Sequence, residues 1–314
     1  MKKDSKIYIA GHRGLVGSAI VRKLRDLGYN NLILRTRTEL DLRRQDQVQS
    51  FFEQEAPEYV FLAAAKVGGI LYNKNFPADF IKDNLQIQTN VIDSAYKNNT
   101  KKLLFLGSAC IYPKEAPVPI KEESLMTGPL EGTNISYSLA KIAGYMMCKK
   151  YSEQFNFNTI SVMPNNLYGI NDNFNLEQCH VIPSFINKFI YAKENNLPSV
   201  VCYGDGSPTR EFIFSDDLAD GLIFLMNSHN DSEIINIGPN REVSIKELAT
   251  TISSLVGYEG KIEWDISKPN GTPRRILDTS KMDSLGWTAK TSLEEGLKKT
   301  INWFLENRGT YERV

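Results

Sequence analysis

Residues 7–20, "IYIAGHRGLVGSAI", decide the fold of this chain. A short run of β-forming residues leads into three glycines, Gly11, Gly14 and Gly17, and a helix-forming run follows them. Glycines between a strand and a helix let backbone amides approach a phosphate at the helix N-terminus, where the helix dipole favours negative charge. The same triplet also suits a plain tight turn, so the segments that follow must decide between the two.

The rest of the first half repeats this pattern of strand and helix. β-like runs such as "YVFLAAA", "KLLFLGSA" and "TISVMPNNLYG" alternate with helical stretches such as "QDQVQSFFEQEA". This alternation predicts an α/β fold, a Rossmann-type doubly wound parallel sheet, and it favours a dinucleotide at the glycines. We expect the dinucleotide-binding domain to span residues 1–170, with segments near 211–240 returning to it, and a smaller C-terminal α/β substrate-binding domain to cover mainly residues 171–314.

Composition and charge exclude several classes of protein. Lysine plus arginine and aspartate plus glutamate number 37 each, which argues against a chain that coats nucleic acid or an anionic membrane. The four cysteines show no CxxC spacing, the charged N-terminus lacks the apolar core of a signal peptide, and no apolar run has the length of a membrane span. We therefore expect a reduced cytoplasmic protein without a metal site.

The stretch after the second predicted strand indicates which dinucleotide binds. An NAD site usually offers an acidic residue there to the ribose 2′-hydroxyl, whereas this chain has "LRTRTELDL", residues 34–42. Arg35 and Arg37 make this position cationic, and Arg13 adds a third guanidinium from the glycine loop. Because forked guanidinium donors suit a 2′-phosphate, we predict NADPH/NADP+. Asp41 is the natural contact for the adenine.

Three residues suggest a reductase. Ser108 ends the strand "KLLFL", and "SYSLAK" places Tyr137 and Lys141 four residues apart on one helix face. A nearby ammonium stabilises a phenolate, so we expect Lys141 to lower the pKa of Tyr137 and make it a proton donor to a ketone oxygen. Taken alone, the pair also fits a packed tyrosine beside a lysine that reaches solvent.

In their order, the glycine loop, Ser108 and the Tyr137–Lys141 pair resemble the extended short-chain dehydrogenases/reductases over nearly the whole chain. The stretch "YGDGSPTREFIFSDDLADG" resembles the part of that family in which an arginine, here Arg210, binds the diphosphate of a sugar nucleotide. Further blocks, among them "FLAAAKVGGI", "HVIP" and "NGTPRRILD", resemble members that epimerise C3 and C5 of GDP-4-keto-6-deoxy-D-mannose and then reduce C4. The resemblance thus implies a GDP-keto-sugar substrate.

Epimerisation beside a ketone needs groups that exchange protons on opposite faces of the sugar. The resemblance assigns the base to Cys110 and the acid to His180. Of the three histidines, His12 lies in the glycine loop and His229 in a polar loop, which leaves His180 best placed. Each residue also has a plain structural reading, a buried thiol and a hydrogen-bonded histidine at a helix start.

The resemblance also implies the residues that line the two binding sites. Those expected at the cofactor, besides Lys141 and His180, are Gly11, Arg13, Gly14, Leu15, Val16, Gly17, Arg37, Asp41, Leu42, Ala63, Ala65, Pro164 and Leu167. Those expected at the GDP-sugar are Asn166, Val181, Phe185, Lys188, Tyr203, Arg210 and Arg275.

Three alternatives stay open at this point. In the first, the substrate is a related GDP-4-keto sugar such as a heptose. In the second, only one carbon is inverted. In the third, the chain is a redox-sensing protein that binds NADPH without turnover. A sugar-nucleotide 4,6-dehydratase would need an acid and a carboxylate base after Ser108, where this chain has Ala109 and Cys110. A simple 4-epimerase has no evident use for Cys110 with His180. The family also implies a homodimer through helices at 79–98 and 136–155, although Ile142, Tyr145 and Met146 suit a monomer core equally well.

Overall fold

The computed structural model describes residues 1–268 and 270–308. The first half contains, in chain order, β1 (Ile7–Ala10), α1 (Leu15–Asp26), β2 (Leu32–Ile33), α2 (Gln45–Glu55), β3 (Tyr59–Leu62), α3 (Ile70–Asn75), α4 (Pro77–Lys97), β4 (Lys102–Leu106), α5 (Ile135–Phe155) and β5 (Thr159–Pro164). The second half contains β6 (Asn166–Tyr168), α6 (Val181–Glu194), β7 (Ser199–Tyr203), β8 (Thr209–Phe214), α7 (Ser215–Ser228), β9 (Ile234–Ile237), β10 (Glu242–Ser244), α8 (Ile245–Val256), β11 (Lys261–Asp265), β12 (Arg274–Arg275), α9 (Ser280–Ser284) and α10 (Leu293–Asn307).

The main sheet is parallel and has the strand order β2-β1-β3-β4-β5-β9. Its central strands are buried on both faces, which explains why they read as continuous apolar runs instead of alternating ones. The strand order reverses between β1 and β3, and ligands of such sheets bind beside this point at the carboxyl ends of the strands. The prediction of a Rossmann-type α/β fold is confirmed.

Helices cover both faces of this sheet. On one face α1 packs against α7, and on the other α4 packs along α5. The apolar side chains form two clusters, one under each helical layer, with Phe61 and Leu104 in the first and Tyr8 and Phe105 in the second. Strands with side chains on alternate faces therefore fill both layers of the core.

The second half builds a smaller unit and then rejoins the main sheet. Strands β6, β8, β10 and β12 form one small sheet, and β7 pairs with β11 in another. Helices α6, α8 and α10 share an apolar cluster with these strands. The chain enters this unit at β6, slightly before residue 170. It later returns to the first domain, where β9 pairs with β5 in the main sheet and α7 packs against α1. The division near residue 170 stays a prediction. The last residues of the predicted second domain, 309–314, lie outside the described residues.

Among the described residues, no helix combines the length and the apolar character that crossing a membrane requires.

Candidate active site

The glycine turn after β1 has the geometry that a phosphate site requires. Gly11 has a φ of +84°, and a Cβ there would lie 2.8 Å from the backbone of Ala64. A Cβ at Gly17 would lie only 2.1 Å from the Gly11 carbonyl oxygen, so this position admits no side chain. Gly14 caps α1 without a side-chain hydrogen bond, and the first turn of α1 carries no acidic residue. The helix N-terminus therefore offers its amides to an anion.

The three arginines near this turn differ in their surroundings. Arg35 donates to Glu55 at 2.6 Å on α2, so its charge already has a partner within the protein. Arg13 and Arg37 are exposed at the same rim of the sheet. Their exposure leaves both accessible to a 2′-phosphate, and both stay predictions.

Asp41 has a charged partner within the protein. Its carboxylate accepts from Arg43 through Nε at 2.9 Å and Nη2 at 2.6 Å. This hydrogen-bonded pair lowers the pKa of Asp41 to about 2. An ionised carboxylate has further acceptor positions on the same oxygens, so the pairing is compatible with the predicted adenine contact, which stays a prediction.

Other predicted cofactor residues lie where the strands of the main sheet end. Ala63 and Ala65 follow β3, Pro164 closes β5, and Leu167 lies in β6. Leu15 and Val16 begin α1, with the Val16 side chain buried in the core, while Leu42 is buried beside α2. Their contact with the cofactor stays a prediction.

Ser108, Tyr137 and Lys141 meet at the carboxyl end of β4. Ser108 caps the short 3₁₀ turn at Ala109–Ile111, and its Oγ accepts from the Cys110 amide at 3.2 Å. Lys141 is buried, and its Nζ donates to the Leu106 carbonyl oxygen at 2.7 Å and lies 5.8 Å from the Tyr137 ring centre. The three predicted reductase residues are brought together.

The ionisation of this group differs from the sequence expectation. Burial raises the pKa of Tyr137 above its ordinary value, the nearby Cys110 adds to this, and a hydrogen bond with Ser108 opposes it. Burial also lowers the pKa of Lys141 to about 7. In the protein alone the pKa of Tyr137 is thus raised, contrary to the expected lowering by Lys141, because desolvation disfavours the phenolate and also the ammonium.

Cys110 lies in the same turn, is half-buried and forms no disulfide. Its Sγ accepts from the Asn134 side-chain amide at 3.3 Å. Its charge affects the ionisation of Tyr137, so the thiol and the phenol lie close together. A group able to hold a proton thus stands beside the hydroxyls that would bind a ketone oxygen.

His180 begins α6 as its N-cap and makes no side-chain cap hydrogen bond. Its side chain is exposed to solvent, yet the protein around the ring still lowers its pKa through desolvation. The segment before it is tied by Gly69 N to the Gln178 carbonyl at 2.8 Å and by Asn171 Nδ2 to the Arg13 carbonyl at 2.9 Å. These bonds hold the His180 segment against both the glycine loop and the loop after β3.

Arg210 and Arg275 are directly opposite each other on the paired strands β8 and β12. Burial and the neighbouring Arg275 lower the pKa of Arg210, which shows that the two guanidiniums share one site. Arg275 also donates to the carbonyl oxygens of Ala109 at 2.7 Å and Tyr112 at 3.2 Å. Two close cations of this kind suit an anionic ligand.

The remaining predicted substrate residues lie on the same small unit. Lys188 lies 4.9 Å from the ring centre of Tyr203, whose side chain is 62% exposed and offers a flat surface. Val181 and Phe185 line the first turns of α6, with Phe185 buried. The Asn166 amide donates to the Glu211 carbonyl at 3.0 Å and fixes β6 to β8.

Sequence reasoning missed two polar residues of this region. Asn134 contacts Cys110, and Glu211 is fully buried behind Arg210, where it accepts from Asn165 and from the Leu277 amide at 3.1 Å. Burial raises the pKa of Glu211. A charged residue directly before the apolar run "FIF" is a signal for Glu211, whereas nothing in the spacing singles out Asn134.

A family model of the NAD dependent epimerase/dehydratase family matches residues 7–238, and the chain belongs to that family. Within it, the chain is 58% identical to the putative GDP-L-fucose synthase 2 of Arabidopsis thaliana over 98% of this chain and 94% of that protein. It is 47% identical to the GDP-L-fucose synthase of Escherichia coli strain K12, covering 98% of each. Among solved structures, the GDP-mannoheptose C4 reductase MlghC of Campylobacter jejuni with NADP bound is 42% identical, with a TM-score of 0.90 and coverage of 97% of this chain and 99% of that one.

Proposed function

We propose that this chain is an NADPH-dependent epimerase/reductase that converts GDP-4-keto-6-deoxy-D-mannose to GDP-L-fucose. The observation that carries the proposal is the Cys110 thiol beside Ser108 and Tyr137 at the end of β4. A reductase acting at C4 alone has no use for a base at this position. The names of the two similar synthases support the same reaction.

The residues present fit NADPH. Gly11 and Gly17 leave room for backbone approach, the start of α1 offers unpaired amides, and Arg13 and Arg37 supply positive charge at the rim. The similar reductase of Campylobacter jejuni has NADP bound. When bound, the cofactor supplies the hydride for C4.

In the first stage Cys110 acts on the carbons beside the ketone. The thiolate takes a proton from C3 or C5, the C–H bond breaks, and its electron pair moves to the C4 oxygen to give an enolate. Ser108 and Tyr137 donate hydrogen bonds to that oxygen and stabilise its charge. His180 then returns a proton to the opposite face, and each inversion consumes and releases one proton.

In the second stage Tyr137 protonates the C4 oxygen as the ketone is reduced. The raised pKa of Tyr137 keeps its proton in place until negative charge develops on that oxygen. Lys141, held by the Leu106 carbonyl at 2.7 Å, lies behind the ring and stabilises the phenolate that remains. One ketone is thus the electron sink first and the hydride acceptor afterwards.

The small unit would hold the nucleotide part of the substrate. Arg210 and Arg275 form the cationic site for the diphosphate, with Lys188 as a further point charge. The exposed Tyr203 ring, together with Val181 and Phe185, would contact the guanine, and Asn166 would contact the sugar. A guanidinium pair binds phosphate oxygens more specifically than single ammonium groups do.

A related GDP-4-keto-heptose is the second candidate substrate. It is favoured by the 42% identity with a GDP-mannoheptose C4 reductase over 97% of this chain. The extra hydroxymethyl group of a heptose requires a pocket of another shape but the same proton-transfer residues. We rank it second because the identity to the putative GDP-L-fucose synthase 2 of Arabidopsis thaliana is higher, at 58%.

We also propose that the enzyme works in the cytoplasm as a homodimer formed by α4 and α5. All four cysteines are unpaired, as a reducing compartment favours. Tyr145 of α5, which the sequence left open as a dimer contact or a core residue, is 3% exposed and lies in the core. Ile135 and Leu139 of the same helix are 44% and 45% exposed. These two apolar side chains suit a subunit contact. Sedimentation velocity would test this: we expect the mass of a dimer for the wild type and the mass of a monomer for Leu139→Glu.

The test of function is turnover of GDP-4-keto-6-deoxy-D-mannose with NADPH in D₂O, followed by NMR of the product. We expect deuterium at C3 and C5, protium at C4 and a fucose product. Deuterium at only one of C3 and C5 would mean a single inversion. Absence of turnover with this sugar and with the heptose analogue, but with NADPH bound, would favour a redox-sensing protein instead.

A further inference from the structure

The Asn134 side chain makes two hydrogen bonds that fix its amide group towards Cys110. Its Nδ2 donates to the Cys110 sulfur at 3.3 Å, and its Oδ1 accepts from the Ser138 hydroxyl at 3.2 Å. Ser138 is fully buried one helical turn into α5, so its hydroxyl is well fixed. Because the Ser138 hydroxyl binds the oxygen of the amide, the nitrogen faces the sulfur.

The backbone of the Cys110 turn is held independently of this contact. Ser108 accepts from the Cys110 amide at 3.2 Å, and Arg275 donates to the Ala109 carbonyl oxygen at 2.7 Å. These bonds fix where the chain runs but do not touch the sulfur. The amide of Asn134 is therefore in a position to affect the ionisation of the thiol itself.

We propose that Asn134 is a positioning residue that stabilises the thiolate form of Cys110 and directs the sulfur into the cleft. A hydrogen bond to the charged form of a group favours that form, and the thiolate is the form that removes a proton. When Cys110 takes a proton from carbon, the S–H bond forms, the C–H electron pair moves to the ketone oxygen, and the amide keeps all its protons. The use of this thiolate in epimerisation rests on the proposed function.

The first test measures thiol ionisation in the protein without substrate. The rate of Cys110 alkylation by iodoacetamide is followed against pH, with the modified peptide quantified by mass spectrometry so that the other cysteines do not interfere. We expect Asn134→Ala to move the midpoint of this curve upward by about one pH unit, the size of one hydrogen bond to a charged group. Asn134→Asp should move it further, because a carboxylate opposes a neighbouring negative charge.

Two further variants separate this role from a structural one. Thr133→Ala changes the neighbouring residue of the same turn, whose amide bonds to Glu131 at 3.1 Å, and should leave the midpoint unchanged. Ser138→Ala keeps the amide but frees its orientation, so it should give a smaller upward shift and covers the case in which Asn134→Ala fails to fold. Equal midpoints in the wild type, Asn134→Ala and Ser138→Ala would overturn the proposal.

A second measurement links the residue to the reaction. Deuterium incorporation at C3 and C5 should fall about tenfold in Asn134→Ala, in line with the loss of about one pH unit of thiolate stabilisation. Reduction of an already epimerised 4-keto sugar should keep its rate, since it does not use the thiol. A shifted alkylation midpoint without turnover of any keto sugar by the wild type would support Asn134 and overturn the proposed function, so the two failures are distinguishable.

Discussion

Cys110 and His180, the two groups expected to exchange protons with the sugar, are held in opposite ways. The Cys110 turn is fixed by Ser108, by Asn134 at its sulfur and by Arg275 at its carbonyls. His180 is exposed and has no side-chain cap hydrogen bond. Its segment is held by a backbone bond from Gly69 and by the Asn171 side chain, which donates to the Arg13 carbonyl. The base is therefore organised within the protein, whereas the position of the acid depends on a loop that lies over the cofactor site.

The largest effect should come from the fixed side. Cys110→Ser should lower deuterium incorporation at C3 and C5 by roughly three powers of ten, because a hydroxyl is a far weaker base than a thiolate at neutral pH. Hydride transfer to an already epimerised 4-keto sugar should persist. The measurement is exchange in D₂O by NMR beside NADPH consumption, and Cys179→Ser replaces the other half-buried thiol as a control. Equal loss of both activities would contradict the separation of roles.

A smaller loss, roughly a hundredfold in inverted product, is expected for His180→Gln. Cys110 would still remove protons, so deuterium should enter the substrate while inversion fails. Because the pKa of His180 is lowered, its ring loses the acidic proton at a lower pH than an ordinary histidine does. Epimerisation of the wild type should therefore decline with rising pH in that region, and a decline that persists unchanged in His180→Gln would assign it to another group.

Gly69→Ala tests whether the loop contact positions the acid. A Cβ at Gly69 would lie 2.8 Å from the Cys179 carbonyl oxygen, next to His180, whereas a Cβ at Gly132 would meet nothing within 4 Å. We expect about a tenfold loss of inverted product in Gly69→Ala, as misplacement of a catalytic group gives, with exchange retained. Gly132→Ala, beside Asn134 on the other side of the comparison, is the control. Equal behaviour of the two variants would mean that the contact does not position His180.

The smallest effect concerns the buried Lys141, on the fixed side. Its pKa is about 7 in the folded protein, so between pH 7 and the ordinary lysine value the unfolded chain binds more protons. Stability should therefore rise with pH in this window, by roughly 1 kcal/mol per pH unit, and the term is most unfavourable below pH 7. Lys141→Met should remove the slope from urea titrations and the exposed Lys150→Met should keep it. A slope that survives in Lys141→Met would mean that another group causes the pH dependence of stability.

Local patterns predicted the parts of the site that depend on neighbouring residues. The Gly11 turn requires a positive φ, Tyr137 and Lys141 share a helix face by spacing, and Ser108 ends a strand. Each of these rests on geometry within one or two turns of chain. For the same reason, the parallel sheet was predictable from its alternating pattern.

Contacts between distant residues were not predictable in this way. Arg275 reaches carbonyls 166 and 163 residues away, and Asn134 meets Cys110 across 24 residues. The pairing of Arg35 with Glu55, 20 residues further along the chain, was not predictable from spacing either. Desolvation of Tyr137 depends on the whole core around it, which no spacing rule contains.

The interleaved path of the chain has a consequence for its synthesis. Strand β5 ends at Pro164, but its neighbour β9 begins only at Ile234, after the first part of the small unit and α7 have been made. On a ribosome that adds about 5–20 residues per second, β5 therefore waits several seconds as an unpaired apolar edge. The nascent protein has its glycine turn and its catalytic helix early, yet the sheet that supports them closes late, and this interval is when the unfinished chain is most exposed to aggregation.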